Sequence, residues 1–584
     1  MPTPAHGADP APRTLVCVPL TPLDAADDNR TIEEMQQAKS GGADIIELRI
    51  DSIFDGSTGS DTEDGTLIKR IRSLIEACPL PLILTCRIAS EGGDYVTDHD
   101  GDESDRISLF EKLTAASKSP PAYLDVEWAS FSRSANIAQK VRLCVRHPGQ
   151  LRDVASGLIL STHDFTGRPQ DLMRRVLAMS EQASASVVKV AFRARSLRDA
   201  LEALDLPAQT TRPTIALAMG EFGLASRILA GKFGAFLTFA ALRSERATAP
   251  GQPTLSELID LYRFRAIGPS TSVYGVVGWP VGHSLSPLVH NAGFDAIKHD
   301  GVYLPLPIGV DESDPEASYL SFKATMLELI EHPRLTLRGV SVTMPHKEHL
   351  LRLARECGWS IDAVASAIGS ANTLAIESSG PVANIAIMNT DAPAISLWLA
   401  QGLGTSLSGK RIGILGAGGV ARAAAYAAAR SGATVVVYAR DGAKAQKLCD
   451  DISAGLTREG KSAKLVAAAW DLIPKSCCDA IINGTPLGMS GGTGADQSPM
   501  DRAAIEGCGR DTVYFDTVYS PVETPLLALA RGAGRRTIDG VGMFVEQAAL
   551  QFETWTDTGA PRGLFDRLVR EKLAERESAG RNAP

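Results

Sequence analysis

YRFRAIGPSTSVYGVVGWPVGHSLSPLVHN, residues 262–291, ends one series of elements and opens another. Ahead of it, short β-branched strands alternate with amphipathic helices and close at Asp260–Leu261. Inside it a fresh strand starts at Val273–Gly278, and Gly282-His283-Ser284-Leu285-Ser286-Pro287 follows at once, dense in hydroxyls and imidazole. A first strand that restarts halfway along a chain predicts two folded assemblies in tandem. The length of 584 residues suits that division, being enough for about three to four folding units.

Toward the N-terminus, candidate strands recur at Thr14–Pro19, Asp44–Ile50, Pro81–Arg87, Ala122–Glu127, Gly157–Thr162, Ser186–Phe192, Thr214–Met219 and Ala235–Ala241. Helical segments with mixed apolar and charged faces lie between them, among them Ile32–Ser40, Leu67–Cys78, Asp105–Ala116 and Asp171–Ala183. Eight such strands in about 250 residues predict an α/β fold of the (β/α)8 barrel type, with an open doubly wound sheet as the rival. Barrel chemistry sits at the C-terminal ends of strands, and the charges gather there. Strand two ends Glu47-Leu48-Arg49-Ile50-Asp51, its charges at period two and so on one face. Strand three ends Thr85-Cys86-Arg87, with Glu91 in the loop beyond; strand four gives Asp125-Val126-Glu127; strand five ends Ser161-Thr162-His163-Asp164.

Lys189 is flanked by valines in strand six. Desolvation in a barrel interior disfavours an ammonium, and a neutral amine is what Schiff-base chemistry needs. The plain alternative is a lysine paired with a carboxylate such as Glu47. A strand-end histidine such as His163 is equally often a satisfied hydrogen bonder. One Lys, one His and two Arg on neighbouring strand ends are harder to explain as packing.

Glu47-x-Arg49-x-Asp51, Thr85-x-Arg87 with Glu91-Gly92-Gly93, Asp125-Val126-Glu127, Ser161–Phe165, Lys189, Ala218-Met219-Gly220, Ser226-Arg227 and Ala249–Gln252 together resemble type I 3-dehydroquinate dehydratase. The resemblance runs from about Arg13 to Leu261. It implies that Lys189 forms an imine with the substrate ketone, that His163 is general base and acid in loss of water, and that Glu91 orients His163. It further implies that Arg227 binds the substrate carboxylate as a guanidinium fork can. Glu47, Arg49, Arg87, Thr248 and Gln252 would hold hydroxyls and the carboxylate; Thr248 stands where the family commonly has serine.

Beyond the junction, Ser284 and Ser286 begin a helix and could be an ordinary N-cap pair. Val340–Lys347 is a strand running into a loop with a cationic end, and Gly369-Ser370-Ala371-Asn372-Thr373 and Met388-Asn389-Thr390-Asp391 follow. Ser, Lys, Asn and Asp at successive strand ends fit a polyol-carboxylate pocket. Lys347 and Asp391 suit a proton-transfer dyad, or else a plain salt bridge.

From Lys410 the pattern changes. Arg411–Leu415 is a buried strand, Gly416-Ala417-Gly418-Gly419-Val420-Ala421 opens an Ala-rich helix to Arg430, and a second strand follows at Thr434–Tyr438. This is a dinucleotide fingerprint in its proper setting, with glycines allowing close approach of a pyrophosphate to the helix N-terminus. Arg440 stands 21 residues past Gly419 (440 − 419). Arginine there accommodates a 2′-phosphate and favours NADP, although Asp441 beside it could serve a free ribose hydroxyl.

Gly278-x-Pro280-x-x-His283-Ser284-x-Ser286-Pro287-x-x-His290-Asn291, Val342-Thr343-x-Pro345-x-Lys347, Asn372-Thr373 and Asn389-Thr390-Asp391 resemble shikimate dehydrogenase. Gly416–Ala421, Asn483–Met489, Asp516-x-x-Tyr519-x-Pro521 and Gly542-Met543-x-x-x-Gln547 continue the likeness, which spans about Val273 to Leu568. It implies that Ser284 and Ser286 grip a carboxylate, that Lys347 with Asp391 handles the proton, and that Thr343, Asn372, Tyr519 and Gln547 contact substrate. Thr485, Met489, Gly540 and Met543 would lie on the cofactor side with the Gly-rich turn and Arg440. Ser341 and Ala439 depart from the family's usual Asn, and Asp391 is followed by Ala-Pro rather than glycine or tryptophan.

The whole chain thus resembles the plant-type bifunctional dehydratase–dehydrogenase of the shikimate pathway, in which the first site's product, 3-dehydroshikimate, feeds the second, which would form shikimate. No Gly-x-x-x-x-Gly-Lys-Ser/Thr kinase motif is present. A quinate dehydrogenase second half, or a non-catalytic quinate or shikimate sensor, are the rivals. The expected plan is an unstructured lead at 1–12, the barrel at 13–262, a linker at 263–272 and a substrate domain at 273–392. A Rossmann domain at 393–540, a C-terminal helix returning to the substrate domain at 541–570 and an unstructured tail at 571–584 complete it.

Composition bounds the partners. Charged residues are 22% with formal net charge −9, which argues against nucleic acid or an anionic membrane as main partner. Nine cysteines form no Cys-x-x-Cys and none has zinc-ligand spacing, so thiols in a reducing compartment and no metal are expected. No apolar run of about 18 residues occurs, and the N-terminus is not a secretory signal, so cytoplasm is the expected location. The oligomeric state stays open, monomer included.

Overall fold

The computed structural model describes residues 13–22, 28–54, 65–97, 103–114, 120–146, 156–246, 248–249, 251–377, 384–475 and 478–581; the expected lead at 1–12 lies outside them. The chain divides into two compact units between Thr271 and Ser272.

Unit one carries strands β1 (Leu15–Leu20), β2 (Ile45–Arg49), β3 (Leu82–Thr85), β4 (Tyr123–Glu127), β5 (Gly157–Asp164), β6 (Val187–Arg193), β7 (Thr214–Met219) and β8 (Leu237–Phe239). They form one sheet in the order β7-β6-β5-β4-β3-β2-β1-β8. The Phe236 N–H donates to the Thr214 carbonyl at 2.9 Å and brings β8 back to β7. The sheet therefore all but closes, and the open-sheet alternative is not realised.

Side-chain alternation then sorts the interior. Ile45, Ile83, Ile159, Val187, Ile215 and Leu237 share one apolar cluster. Two residues further along β2 to β6 the same face turns polar, as Glu47, Thr85, Asp125, Ser161 and Lys189, all buried. On β7 and β8 it stays apolar, with Leu217, Met219 and Phe239 in the cluster. One wall of the barrel mouth is ionic and the other is oily.

The expected linker at 263–272 is instead fastened to the barrel. Phe264 is buried, Arg265 Nη2 reaches Asp44 Oδ2 at 2.8 Å, and Lys232 Nζ bonds the Pro269 and Thr271 carbonyls at 2.7 and 2.8 Å.

Unit two holds two sheets. The first joins β9 (Ser272–Gly278), β10 (Gly301–Pro307), β11 (Leu337–Val342), β12 (Ser360–Ile361), β13 (Thr373–Glu377) and β14 (Asn384–Met388) in the order β10-β9-β11-β13-β14-β12. The second joins β15 (Arg411–Leu415), β16 (Thr434–Tyr438), β17 (Lys464–Ala468), β18 (Ala480–Asn483), β19 (Val513–Asp516) and β20 (Arg536–Ile538) in parallel, ordered β17-β16-β15-β18-β19-β20. The order reverses between β15 and β18, where an open α/β sheet binds its ligand.

Helices Gly540–Thr556 and Arg562–Arg581 return to the first sheet, burying Phe544, Phe552, Phe565, Val569 and Leu573 against Tyr274, Val289, Phe294 and Tyr303. The stretch 571–581 is therefore helical, not the unstructured tail expected. Phe565, Val569 and Leu573 recur every four residues and give that helix its buried stripe, a pattern hidden among charged neighbours.

His290 sits in this aromatic core, fully buried, stacked 4.4 Å from the Tyr303 ring, with neither ring nitrogen hydrogen-bonded. Burial pushes its pKa down to about 3. An unfolded histidine titrates near 6.5, so as pH falls below that value the unfolded chain takes a proton that the folded one refuses. Stability is fully present above about pH 6.5 and should fall by about 2 kcal/mol by pH 5. His290→Phe should remove that part of the loss, read as urea midpoints at pH 7 and 5 followed by tryptophan fluorescence.

Candidate active sites

Lys189 Nζ lies 3.1 Å from Glu47 Oε1 and 2.9 Å from Asp125 Oδ2. The pairing with Glu47 that the sequence leaves open is present, and Asp125 joins it. The Phe239 ring covers the ammonium at 4.7 Å from its centroid. Arg87 stands behind, its Nη2 2.9 Å from Asp125 Oδ2 and its Nη1 3.0 Å from Glu127 Oε1. Burial alone would raise the Asp125 pKa, but Arg87 and Lys189 hold it well below the usual carboxylate range. Thr85 Oγ1 donates to Glu47 at 2.9 Å and Ser161 Oγ to Asp125 at 2.6 Å, so the carboxylates are fixed from both sides.

Glu91 Oε2 accepts the His163 backbone N–H at 2.9 Å and lies 3.0 Å from His163 Nδ1. With Nδ1 turned to Glu91, Nε2 is the ring nitrogen left for a substrate. Burial, then the charges of Arg87 and Lys189, push the imidazole pKa well below its ordinary value. Burial, then Glu127, push the Glu91 carboxyl up to about 8. The histidine is thus a neutral base at physiological pH.

Two side chains carry a buried nitrogen without a partner. Arg227 is 2% exposed, its Nε has no partner, and no carboxylate pairs with it among the described residues. Burial pushes its pKa down to about 10. Gln252 Oε1 accepts the Thr248 N–H at 3.0 Å and the Thr248 hydroxyl at 3.2 Å, while its buried Nε2 is orphaned. Arg49, by contrast, already grips Asp51 through two bonds of 2.8 and 2.7 Å. Buried donors without acceptors are costly and mark where an anionic, oxygen-rich ligand would be welcome.

In unit two, Lys347 Nζ lies 2.5 Å from Asp391 Oδ2, and Asn372 Nδ2 donates to Asp391 Oδ1 at 2.9 Å. Lys347 is the first residue of its helix, and Asp391 of another. A helix N-terminus suits the carboxylate and opposes the ammonium, an arrangement a purely structural ion pair would avoid. Ser284 Oγ donates to Ser286 Oγ at 3.1 Å, and the helix that follows has no side-chain cap. Ser284 Oγ also accepts the N–H of Ser286, the first helical residue, at 3.2 Å, so the local hydroxyl–backbone bond of the plain alternative is present too. Thr343 carries its methyl against Gly278, Tyr519 packs 4.3 Å from the Phe544 ring, and Gln547 Nε2 bonds the Phe544 carbonyl at 3.0 Å.

The sequence reading passed over Gln551, which ties this site together. Its Oε1 accepts the Ser341 hydroxyl at 2.7 Å and its Nε2 donates to Thr373 Oγ1 at 2.9 Å. Tyr303 donates to Ser341 at 2.7 Å and Thr373 to Asn372 Oδ1 at 2.8 Å, so the net runs on to Asp391. The spacing Gln547-x-x-x-Gln551 was the available signal, since residues four apart share a helix face.

At the β15–β18 switch, Gly416 has φ +103°, and a Cβ there would lie 3.0 Å from Thr485 Cγ2. A Cβ on Gly418 would meet nothing within 4 Å, and one on Gly419 would lie 3.3 Å from Lys347 Cδ. The turn is thus open at its tip, as a pyrophosphate requires, and its helix begins beside the Lys347 dyad. Ala417, Val420 and Ala421 continue that turn, with Ala421 packed on Gly484. Asp441 caps its helix through the Lys444 N–H at 3.1 Å, which leaves exposed Arg440 as the group available to a 2′-phosphate. Met543 is buried in the core beneath this sheet, and Met489 is half-buried in the loop after β18. A Cβ on Gly540 would meet the Val518 carbonyl at 2.4 Å, so its part is close packing of the returning helix.

Residues 16–269 match the type I 3-dehydroquinase family, 276–374 the shikimate dehydrogenase substrate binding domain, and 540–570 the shikimate 5′-dehydrogenase C-terminal domain. Residues 411–470 match the coenzyme F420-dependent NADP oxidoreductase family. The shikimate dehydrogenase (NADP(+)) of Methanocella arvoryzae is 36% identical over 307 residues, covering 52% of this chain and 99% of that protein. A solved shikimate dehydrogenase in complex with NADP+ is 30% identical, covers 52% of this chain and 96% of that one, and has a TM-score of 0.43. The chloroplastic bifunctional 3-dehydroquinate dehydratase/shikimate dehydrogenase of Arabidopsis thaliana is 32% identical over 572 residues, covering 95% of this chain and 84% of that protein. Both units thus find their counterparts in one relative and in the same order, and the chain belongs to the bifunctional 3-dehydroquinate dehydratase/shikimate dehydrogenase family.

Proposed function

We propose that unit one dehydrates 3-dehydroquinate through an imine at Lys189, and that unit two reduces the resulting 3-dehydroshikimate to shikimate with NADPH. The observation that supports this reading is in the barrel: a lysine held between two carboxylates, on the same unit as a buried guanidinium that no carboxylate pairs with among the described residues. The Lys189 amine attacks the ketone and water leaves. His163 Nε2 takes the proton from the carbon beside the imine, then returns it to the departing β-hydroxyl, and hydrolysis of the imine frees the lysine. Arg227 and Gln252 Nε2 hold the carboxylate and a hydroxyl while this happens.

In unit two, Ser284 and Ser286 present hydroxyls to the carboxylate. Asn372, Tyr519 and Gln547 face the ring oxygens, and Lys347 donates a proton to the ketone oxygen and regains one from solvent, with Asp391 holding its ammonium in place. The Gly416–Gly419 turn and Arg440 would hold NADPH, which would supply the hydride. Nine cysteines without Cys-x-x-Cys spacing fit a reducing compartment, and we place the chain in the cytoplasm. Among the described residues no helix is long and apolar enough to cross a membrane.

The test is a coupled assay: 3-dehydroquinate with NADPH, following loss of nicotinamide absorbance. One NADPH oxidised per dehydroquinate is expected. Binding of dehydroquinate with no turnover on either NADPH or NADH would sink the reading. Arg227→Met should cost about 10- to 100-fold in KM for dehydroquinate, the worth of charge-assisted hydrogen bonds. It should also raise the thermal midpoint of the ligand-free barrel, because an uncompensated buried charge is removed.

A further inference from the structure

A second ionic layer lies behind the imine lysine, and no step above uses it. We infer that Arg106 is a positioning residue for Lys189, acting through Glu127, Arg87 and Asp125. The inference rests on the reading of Lys189 as the imine-forming residue.

Arg106 belongs to the helix Ser104–Thr114 that follows β3, and its side chain is 0% exposed. Its Nη1 donates to the Cys86 carbonyl at 2.7 Å and to Glu127 Oε2 at 2.6 Å. Its Nη2 donates to Ser130 Oγ at 3.0 Å and to Glu103 Oε2, while Ser130 bonds the other Glu103 oxygen at 2.8 Å. Glu127 Oε1 takes Arg87 Nη1 at 3.0 Å and the Ile88 N–H at 3.1 Å. Arg87 Nη2 and Lys189 Nζ then share Asp125 Oδ2, each at 2.9 Å. Charge alternates without a break: Glu103, Arg106, Glu127, Arg87, Asp125, Lys189.

Such a buried series is a poor device for stability, since well-packed apolar side chains would serve as well or better. Its geometry has a different use. With Glu127 Oε2 held by Arg106, only Oε1 is left for Arg87, and Arg87 can turn its second nitrogen to Asp125. Remove the Arg106 fork and Glu127 becomes an undercompensated carboxylate that draws Arg87 toward itself. Asp125 then loses its second cation and, together with Glu47, holds the Lys189 ammonium more tightly, which slows attack on the ketone. Arg227 and Gln252 are untouched, so substrate capture is kept.

The test uses the full chain with Arg106→Lys and Arg106→Met, the dehydrogenase reaction of the same molecules serving as internal reference. Dehydratase kcat should fall about 10-fold in the Lys variant and about 100-fold in the Met variant, the scale of a small misplacement of a reacting group. KM for dehydroquinate should stay within about threefold. Borohydride trapping of substrate on Lys189 should slow in parallel. Unchanged kcat in both variants, a rise in KM with kcat intact, or a loss that tracks only the unfolded fraction of the barrel would each overturn the inference; if Arg106→Met does not fold, Arg106→Lys decides. A wild-type chain that traps no substrate on Lys189 would instead sink the underlying reading.

Discussion

Lys189→Ala should abolish dehydratase turnover, by about 10,000-fold or more, the scale on which loss of a catalytic nucleophile is felt. Shikimate oxidation by the same chain should be unchanged. The expectation follows from what alanine leaves behind. Glu47 and Asp125 would be left on the ionic wall with Arg87 as their remaining cation and no amine to form the imine. Without the imine, the proton beside the ketone is not acidic enough for a neutral His163. Borohydride in the presence of substrate should add the substrate mass to wild type at Lys189 and nothing to the variant. Trapping at another lysine, or a residual rate near wild type, would show that the buried ammonium is only the ion pair its distances already allow. Lys189→Ala should still bind dehydroquinate, because Arg227 is supplied by the separate helix Leu224–Ile228.

How much of this was legible in the sequence depends on how far each residue lies from its partners. Glu47, Asp125 and Lys189 could be placed on one face because a strand's period is two, and neighbouring parallel strands stack those faces into one mouth. The Gly416–Gly419 turn was equally readable, since its glycines sit between a buried strand and a helix. Arg106 was not. It lies 21 residues from Glu127 in a stretch, Asp102-Glu103-Ser104-Asp105-Arg106, that reads as the solvated start of an acidic helix. Only the folded barrel shows that Glu103 and Arg106 turn inward. The strap at 263–272 and the helix through 571–581 failed for a related reason: each has one buried apolar side chain, Phe264 or Leu573, among polar neighbours, and the strap's polar anchors Asp44 and Lys232 are distant in sequence. Local composition averages such anchors away, whereas packing against a preformed surface does not.

Lys347→Ala should lower the dehydrogenase kcat by about 100- to 10,000-fold, the range for loss of a general acid, with cofactor binding and dehydratase activity kept. Two features support so large an effect. The ammonium stands at a helix start that opposes it, and Asp391 is oriented by Asn372, itself fixed through Thr373 and Gln551. Alanine leaves that carboxylate buried with Asn372 as its hydrogen-bond partner, so Asp391→Asn should cost less stability while still impairing turnover. The double variant should be scarcely worse than Lys347→Ala, because groups acting as one unit are not additive. Mixing Lys189→Ala with Lys347→Ala decides whether the two sites are independent. Each alone should fail to convert 3-dehydroquinate and NADPH into shikimate. Together they should restore flux after a lag set by the build-up of free 3-dehydroshikimate, since the intermediate must leave one molecule and enter another. No restoration, with each variant folded and its remaining half-reaction intact, would mean that the intermediate passes only within one chain.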